Sequence, residues 1–122
     1  MKFYLCSHCG NLITKINDSG VAVHCCGEAM NELIPNTNDA AVEKHIPVIK
    51  IQDGKTTIEV GSIIHPMTEE HHIEWIYIEY ENGGYYHYFT TNDEPILPID
   101  SDSCIISIYA YCNLHGLWKM NK

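Results

Sequence analysis

Apolar and polar residues alternate along much of the chain beyond residue 45, and a period of two is the mark of β-strands. Residues 46–51 form an apolar-rich run ended by the turn pair Asp53-Gly54. Residues 56–60 alternate, with Ile58 and Val60 on one face. Residues 72–80 alternate with apolar side chains on both faces: Ile73, Trp75 and Tyr77 on one, Ile76, Ile78 and Tyr80 on the other. A strand apolar on both faces belongs inside a sheet. Asn82-Gly83-Gly84 predicts a hairpin turn onto residues 85–90, and a final strand is predicted over 103–111 with Cys104 inside it as a buried thiol. Short strands separated by turn signals, with no long amphipathic helix, predict an all-β chain built around an immunoglobulin-like β-sandwich.

The first third reads differently. Its apolar residues are few (Phe3, Leu5, Leu12, Ile13, Ile16, Val21, Val23), and a segment this lean needs a staple to fold. The polar stretch 35–39 reads as a linker. Two domains are therefore predicted, a small cysteine-rich one over residues 1–36 and the β-sandwich over residues 37–122.

Charge narrows the function. The net charge is −9, and seven Lys and Arg residues cannot make the basic face that nucleic acid requires. No run of about 18 apolar residues is present to span a membrane. The first residues carry no secretory signal pattern, which predicts a cytoplasmic protein. Six Cys and eight His are then better used as metal ligands than as disulfides.

Two constellations stand out. Cys6-Ser7-His8-Cys9 is a C-x-x-C knuckle, and the adjacent pair Cys25-Cys26 follows after a hairpin's length of 15 residues. Four thiolates in tetrahedral array suit zinc or a single iron. A zinc-ribbon staple without chemistry is one reading; the vicinal pair distorts the tetrahedron and favours iron. The second constellation gathers His45, His65, His71, Cys112 and His115 at strand ends and loops, which a sandwich collects at its rim. Four imidazoles and one thiolate are five ligands. A sixth, open position is what distinguishes a catalytic metal from a structural one. His72 and His87 read as ordinary polar residues, and His8 and His24 as neighbours of the cysteine ligands.

These residues together resemble the desulfoferrodoxin family, the two-iron superoxide reductases. Cys6, Cys9, Cys25 and Cys26 fit the C-x2-C-x15-C-C pattern of desulforedoxin. Glu43-Lys44-His45-Ile46-Pro47-Val48, the loop His65-Pro66-Met67 with His71, and Cys112-Asn113-Leu114-His115-Gly116-Leu117-Trp118 fit the E-K-H-x-P-V, H-P-M-x3-H and C-N-x-H-G-x-W signatures of neelaredoxin. His72 departs from the pattern, where an aromatic is expected.

The resemblance implies an enzyme that reduces superoxide by one electron to hydrogen peroxide at a mononuclear non-haem iron, in oxidative-stress defence. His45, His65, His71 and His115 would be equatorial ligands and Cys112 the axial thiolate. Glu43 would take the sixth position in the oxidised resting state, and Lys44 would act at the open face. A second iron, or zinc, would sit in the four-cysteine site, which would relay electrons or only stabilise the fold. A rubredoxin-type electron donor and a homodimer are also implied. Ferrous iron with four neutral imidazoles and one thiolate carries one positive charge, so the site attracts superoxide despite the acidic chain; screening beyond about 8–10 Å makes the local field decisive.

Overall fold

The computed structural model describes residues 1–122, which fall into two compact units, Met1–Ile34 and Pro35–Lys122. No helix is long and apolar enough to cross a membrane.

In the first unit, β1 (Phe3–Leu5) lies between β2 (Leu12–Thr14) and a later strand, β5 (Asn31–Leu33), both antiparallel to it. Two-residue strands β3 (His24–Cys25) and β4 (Glu28–Ala29) form a separate hairpin. Phe3 and Cys6 are buried, whereas Ile16 is 98% exposed and Val21 70%. The apolar residues of this unit thus do not collect into a core, and a metal staple is what the architecture requires.

The second unit is the predicted β-sandwich. A single helical turn, α1 (Val42–His45), leads into β6 (Pro47–Gln52), which pairs with β7 (Lys55–Val60). Strands β8 (Ile73–Tyr80) and β9 (Gly83–Tyr88) form the expected hairpin. They are followed by β10 (Ile96–Ile99), β11 (Ile105–Cys112) and β12 (Gly116–Asn121). One sheet has the order β10-β7-β6 and the other β12-β11-β8-β9. Ile58 and Val60 from the first sheet pack against Ile76, Ile78, Ile108, Ala110 and Cys112 from the second, forming the core between them. The interior position expected for β8 holds: β11 and β9 flank it, and Trp75 to Ile78 are all buried.

Three features differ from the sequence reading. Strand β11 begins at Ile105, so Cys104 is an exposed residue of the preceding turn and not a buried strand thiol. The Ser103 amide donates to Ser101 Oγ (3.2 Å) and the Ile105 amide to Asp102 O (3.2 Å), which holds 101–104 outside the ladder. Cys112 is the last residue of β11, and β12 follows it. Strand β10 contains Pro98, which removes a backbone donor and hides a strand from pattern reading; it lies at a sheet edge, where proline is tolerated.

Candidate metal centres

In the first unit the Sγ atoms of Cys6, Cys9, Cys25 and Cys26 all lie within 4.8 Å of one another, and none is in a disulfide. Cys9 Sγ and Cys25 Sγ are 3.6 Å apart. A tetrahedron with metal–sulfur bonds of about 2.3 Å has edges of about 3.8 Å, so the spacing fits one ion. The knuckle is held by the Cys6 amide donating to Asn11 O (2.9 Å) and the Gly10 amide donating to Cys6 O (3.0 Å). The Asn11 amide reaches Cys9 Sγ at 3.5 Å, and Asn11 Nδ2 reaches Cys25 Sγ at 3.6 Å. At the vicinal pair the chain enters the left-handed region at Cys26 (φ 51°) and Gly27 (φ 79°), which turns both sulfurs inward.

The thiols behave as a set. Backbone N–H groups of Cys9 and His8 lower the Cys6 pKa to about 6, while the other three thiols push Cys26 up to about 12. One thiolate is stabilised by amides; four together need a cation. His8 leaves the set and pairs with Glu28 (3.1 Å), and His24 lies in β3.

In the second unit four imidazoles stand at the corners of a square. Successive ring pairs His45–His65, His65–His71, His71–His115 and His115–His45 have centroids 4.6, 4.4, 5.0 and 5.0 Å apart and interplanar angles of 75°, 81°, 81° and 87°. The diagonal His45–His71 measures 6.1 Å at 31°. Cys112 Sγ lies within 4.8 Å of ring nitrogens of His45, His65 and His71, and 3.9 Å from His115 Nδ1.

Backbone carbonyls decide which nitrogen faces the centre. His45 Nδ1 donates to Ala41 O and His65 Nδ1 to Pro66 O, each at 2.7 Å. A carbonyl only accepts, so both protons sit on Nδ1 and both Nε2 atoms carry lone pairs. Yet these two Nε2 atoms are 3.1 Å apart, and His115 Nδ1 is 3.2 Å from His45 Nε2. Facing lone pairs repel unless a cation lies between them. His71 Nε2 is buried with no hydrogen-bond partner, an orphan that a metal bond would satisfy. The donor set therefore fits a metal ion with mixed imidazole and thiolate ligation, iron among those it suits.

Burial also disfavours the charged form of three of the imidazoles. It lowers the pKa of His65 to about 4 and lowers those of His45 and His71, with neighbouring imidazoles adding to the effect. Burial raises the Cys112 thiol, opposed by the amides of His115 and Leu114.

Several supports were not legible as such. Trp118 is fully buried; its ring stacks on His45, and Nε1 donates to His115 O (3.1 Å). Its place in the C-N-x-H-G-x-W run was the only signal. Asn113 Nδ2 donates to Glu70 O (2.9 Å) and Oδ1 accepts from the His72 amide (2.9 Å), tying the loop of His71 to that of His115. Asn38, within the stretch read as linker, donates to His115 O. Gly61 lies under α1: a Cβ there would be 2.6 Å from Glu43 O.

Glu43 and Lys44 occupy α1 with exposed side chains. The Lys44 charge lowers both His45 and His71, and Glu43 raises His45, so both charges are felt at the imidazoles. His72 Nδ1 donates to Thr68 O (2.9 Å), and His87 packs against Phe89 (4.8 Å); neither joins the square.

Comparison with known proteins identifies the family of the chain. The family profile described as Desulfoferrodoxin matches residues 37–121. Desulfoferrodoxin of Syntrophotalea carbinolica is 37% identical over 119 residues, covering 98% of this chain and 94% of that protein. The desulfoferrodoxin of Nitratidesulfovibrio vulgaris is 38% identical, covering 97% of this chain and 94% of its own. The crystal structure of the superoxide reductase from Treponema pallidum superposes with a TM-score of 0.74 at 29% identity, covering 98% of each chain. The chain belongs to the desulfoferrodoxin family.

Proposed function

We propose that this protein is a superoxide reductase. The observation that carries the reading is the square of four imidazoles, two of them buried and two half-buried, with the buried Cys112 thiol beside it. His45, His65, His71, His115 and Cys112 would hold iron. Cys6, Cys9, Cys25 and Cys26 would hold the second iron, with zinc an alternative occupant. Iron in the imidazole–thiolate site supplies the one-electron couple that converts superoxide and two protons to hydrogen peroxide.

The chain's own groups do the rest. Neutral imidazoles leave the site its positive charge, and Lys44 adds to the attraction of an anion. Lys44 would also organise proton delivery to the site. The Glu43 carboxylate would be a further ligand of that iron. The Cys112 thiolate, steadied by the Leu114 and His115 amides, would donate electron density to that iron.

The electron donor is proposed to be a rubredoxin-type protein and the assembly a homodimer. The cytoplasm is the proposed compartment, since all six cysteines are free thiols and two ligand sets depend on that state.

The test is rapid mixing of the ferrous protein with superoxide. Stoichiometric consumption with peroxide formed and no oxygen evolved is expected. Oxygen released at half the superoxide consumed would identify a dismutase and overturn the reading.

A further inference from the structure

The chain holds eight tyrosines and two tryptophans, and six of these rings share one face of the sheet β12-β11-β8-β9, the face away from the sandwich core. Cross-strand register places them there: Tyr111 opposite Trp75, Tyr109 opposite Tyr77, Tyr77 opposite Tyr86 and Trp75 opposite Tyr88. The series starts at Tyr111, whose carbonyl is bonded to the nitrogen of Cys112. Tyr111 stacks on Trp75 (5.5 Å, 11°), Trp75 meets Tyr86 edge-on (5.8 Å), and Tyr86 stacks on Tyr88 (6.5 Å, 21°). Trp75 is buried, and Tyr88, on the edge strand β9, is 70% exposed. Cross-strand packing accounts for the buried members. It does not require an unbroken series from the residue bonded to a metal-site thiol out to a ring in solvent.

Tyrosine and tryptophan are the side chains that give up one electron and recover it most readily. Rings this close are within range of electron transfer, and each tyrosine that is oxidised also gives up its phenolic proton. A thiolate beside a ferrous ion is exposed to the opposite fate, because peroxide drives it to sulfinic and sulfonic acids that are not readily reduced.

We infer that Tyr111, Trp75, Tyr86 and Tyr88 form a path that draws oxidising equivalents away from Cys112 to the surface, where a small thiol quenches them. The inference rests on the proposed function for the source of peroxide. Reduction of one hydrogen peroxide to two waters takes two electrons and two protons. One electron comes from the ferrous ion and one from Tyr111, whose phenol loses its proton to water, and both protons are taken up from solvent. Trp75 then returns an electron to Tyr111 as its phenol is reprotonated, and the deficit moves through Tyr86 to Tyr88. Tyr88 ends as a neutral radical, its proton lost to water. A solution thiol gives it a hydrogen atom and becomes a thiyl radical.

The experiment adds hydrogen peroxide directly to the full-length ferrous protein without thiol and maps oxidised residues by peptide mass spectrometry. Zinc-loaded protein is the redox-inert control. Oxidation at Tyr88 and Tyr86 is expected in the iron protein only. Trp75→Phe should reduce Tyr88 oxidation to the zinc-loaded level and raise Cys112 sulfinic and sulfonic acid. In Tyr88→Phe, which alters only an exposed ring, oxidation should stop at Tyr86. Tyr88 oxidation unchanged in Trp75→Phe, equal oxidation in the zinc-loaded protein, or Tyr86 untouched in Tyr88→Phe would each overturn the path. Because peroxide is supplied, the result is independent of whether superoxide is the substrate; oxygen evolution from superoxide tests that separately.

Discussion

The indole of Trp118 lies against the imidazole of His45 at 4.7 Å and 28°, and the same indole donates from Nε1 to the carbonyl of His115. One side chain at the start of β12 thus fixes two corners of the imidazole square that are 70 residues apart in sequence. Trp118→Phe keeps a ring over His45 but leaves the His115 carbonyl without that donor, a loss of about 0.5–1.5 kcal/mol. Trp118→Ala also removes the buried ring, for about 3–5 kcal/mol. Chemical denaturation of the metal-free protein and iron titration should rank wild type above Trp118→Phe above Trp118→Ala. Equal iron affinity in all three would refute the bracing role.

Gly61 offers a test of how α1 is seated. Any Cβ at this position meets Glu43 O at 2.6 Å and Lys44 C at 2.9 Å, both backbone atoms that cannot swing away. The Ile63 amide and the Ser62 hydroxyl also donate to Glu43 O, so the segment is held from several sides. Gly61→Ala should cost about 1–3 kcal/mol and lower the melting temperature by about 4–8 °C per kcal/mol for a unit of this size. Displacing α1 moves His45, so iron binding should weaken together with stability. An unshifted melting curve would show that α1 yields without cost.

Cys112→Ser separates the thiolate from the fold. The residue is fully buried and serine is nearly isosteric, so the β-sandwich should survive. The cost should be about 1–3 kcal/mol, for a buried hydroxyl in place of a weakly polar thiol. The iron protein should lose its thiolate-to-iron absorption band and its superoxide turnover. Full turnover in this variant would exclude an axial role for Cys112.

Much of this site was legible in the sequence because its ligands are chemically rare residues at fixed spacings. The motifs around His45, His65, His71, Cys112 and His115 survive translation into space because each lies at the end of a strand or helical turn or in a short loop. The supports were less legible because they act through backbone carbonyls. Ala41 O and Pro66 O set the tautomers of His45 and His65, and no side-chain pattern announces a carbonyl. Asn38 looked like linker because polar turn formers read alike whether or not one of them braces a ligand loop. The strand pattern failed at β10 for the proline it contains, and at Cys104 because the hydroxyls of Ser101 and Ser103 end the ladder one turn early.

Acid should destabilise the metal-free β-sandwich over a defined window. Burial lowers His65 to about 4, below its ordinary value near 6.5, and lowers His45 and His71 as well. Between these values the unfolded chain binds protons that the folded one does not, so stability rises with pH there. It is therefore lost progressively as pH falls from about 6.5 towards 4 and levels off below. Bound iron competes with the same protons and should shift the loss to lower pH. Denaturation midpoints of the metal-free protein at pH 7.5, 5.5 and 4 should fall in that order; constant midpoints would show that the imidazoles are protonated without cost.

Metal removal should act on the first unit in a different way. Residues 1–34 bury little beyond Phe3 and Cys6, and leave Ile16 and Val21 in solvent. Their strands are two or three residues long. Without an ion the four sulfurs have no cation to hold them together, and the neighbouring thiols push the Cys26 pKa up to about 12. Structural metal in small cysteine sites supplies about 10–16 kcal/mol at neutral pH, more than such a unit can gain from its core. Chelation should therefore unfold residues 1–34 while the β-sandwich, whose core is apolar, keeps its structure. Hydrogen exchange followed by peptide mass spectrometry reads the two units separately. Loss of protection confined to residues 1–34, reversed by adding ferrous iron or zinc, is the expected result. Retained protection at Phe3 to Leu5 after complete metal removal would show that the strands, and not the ion, hold this unit together.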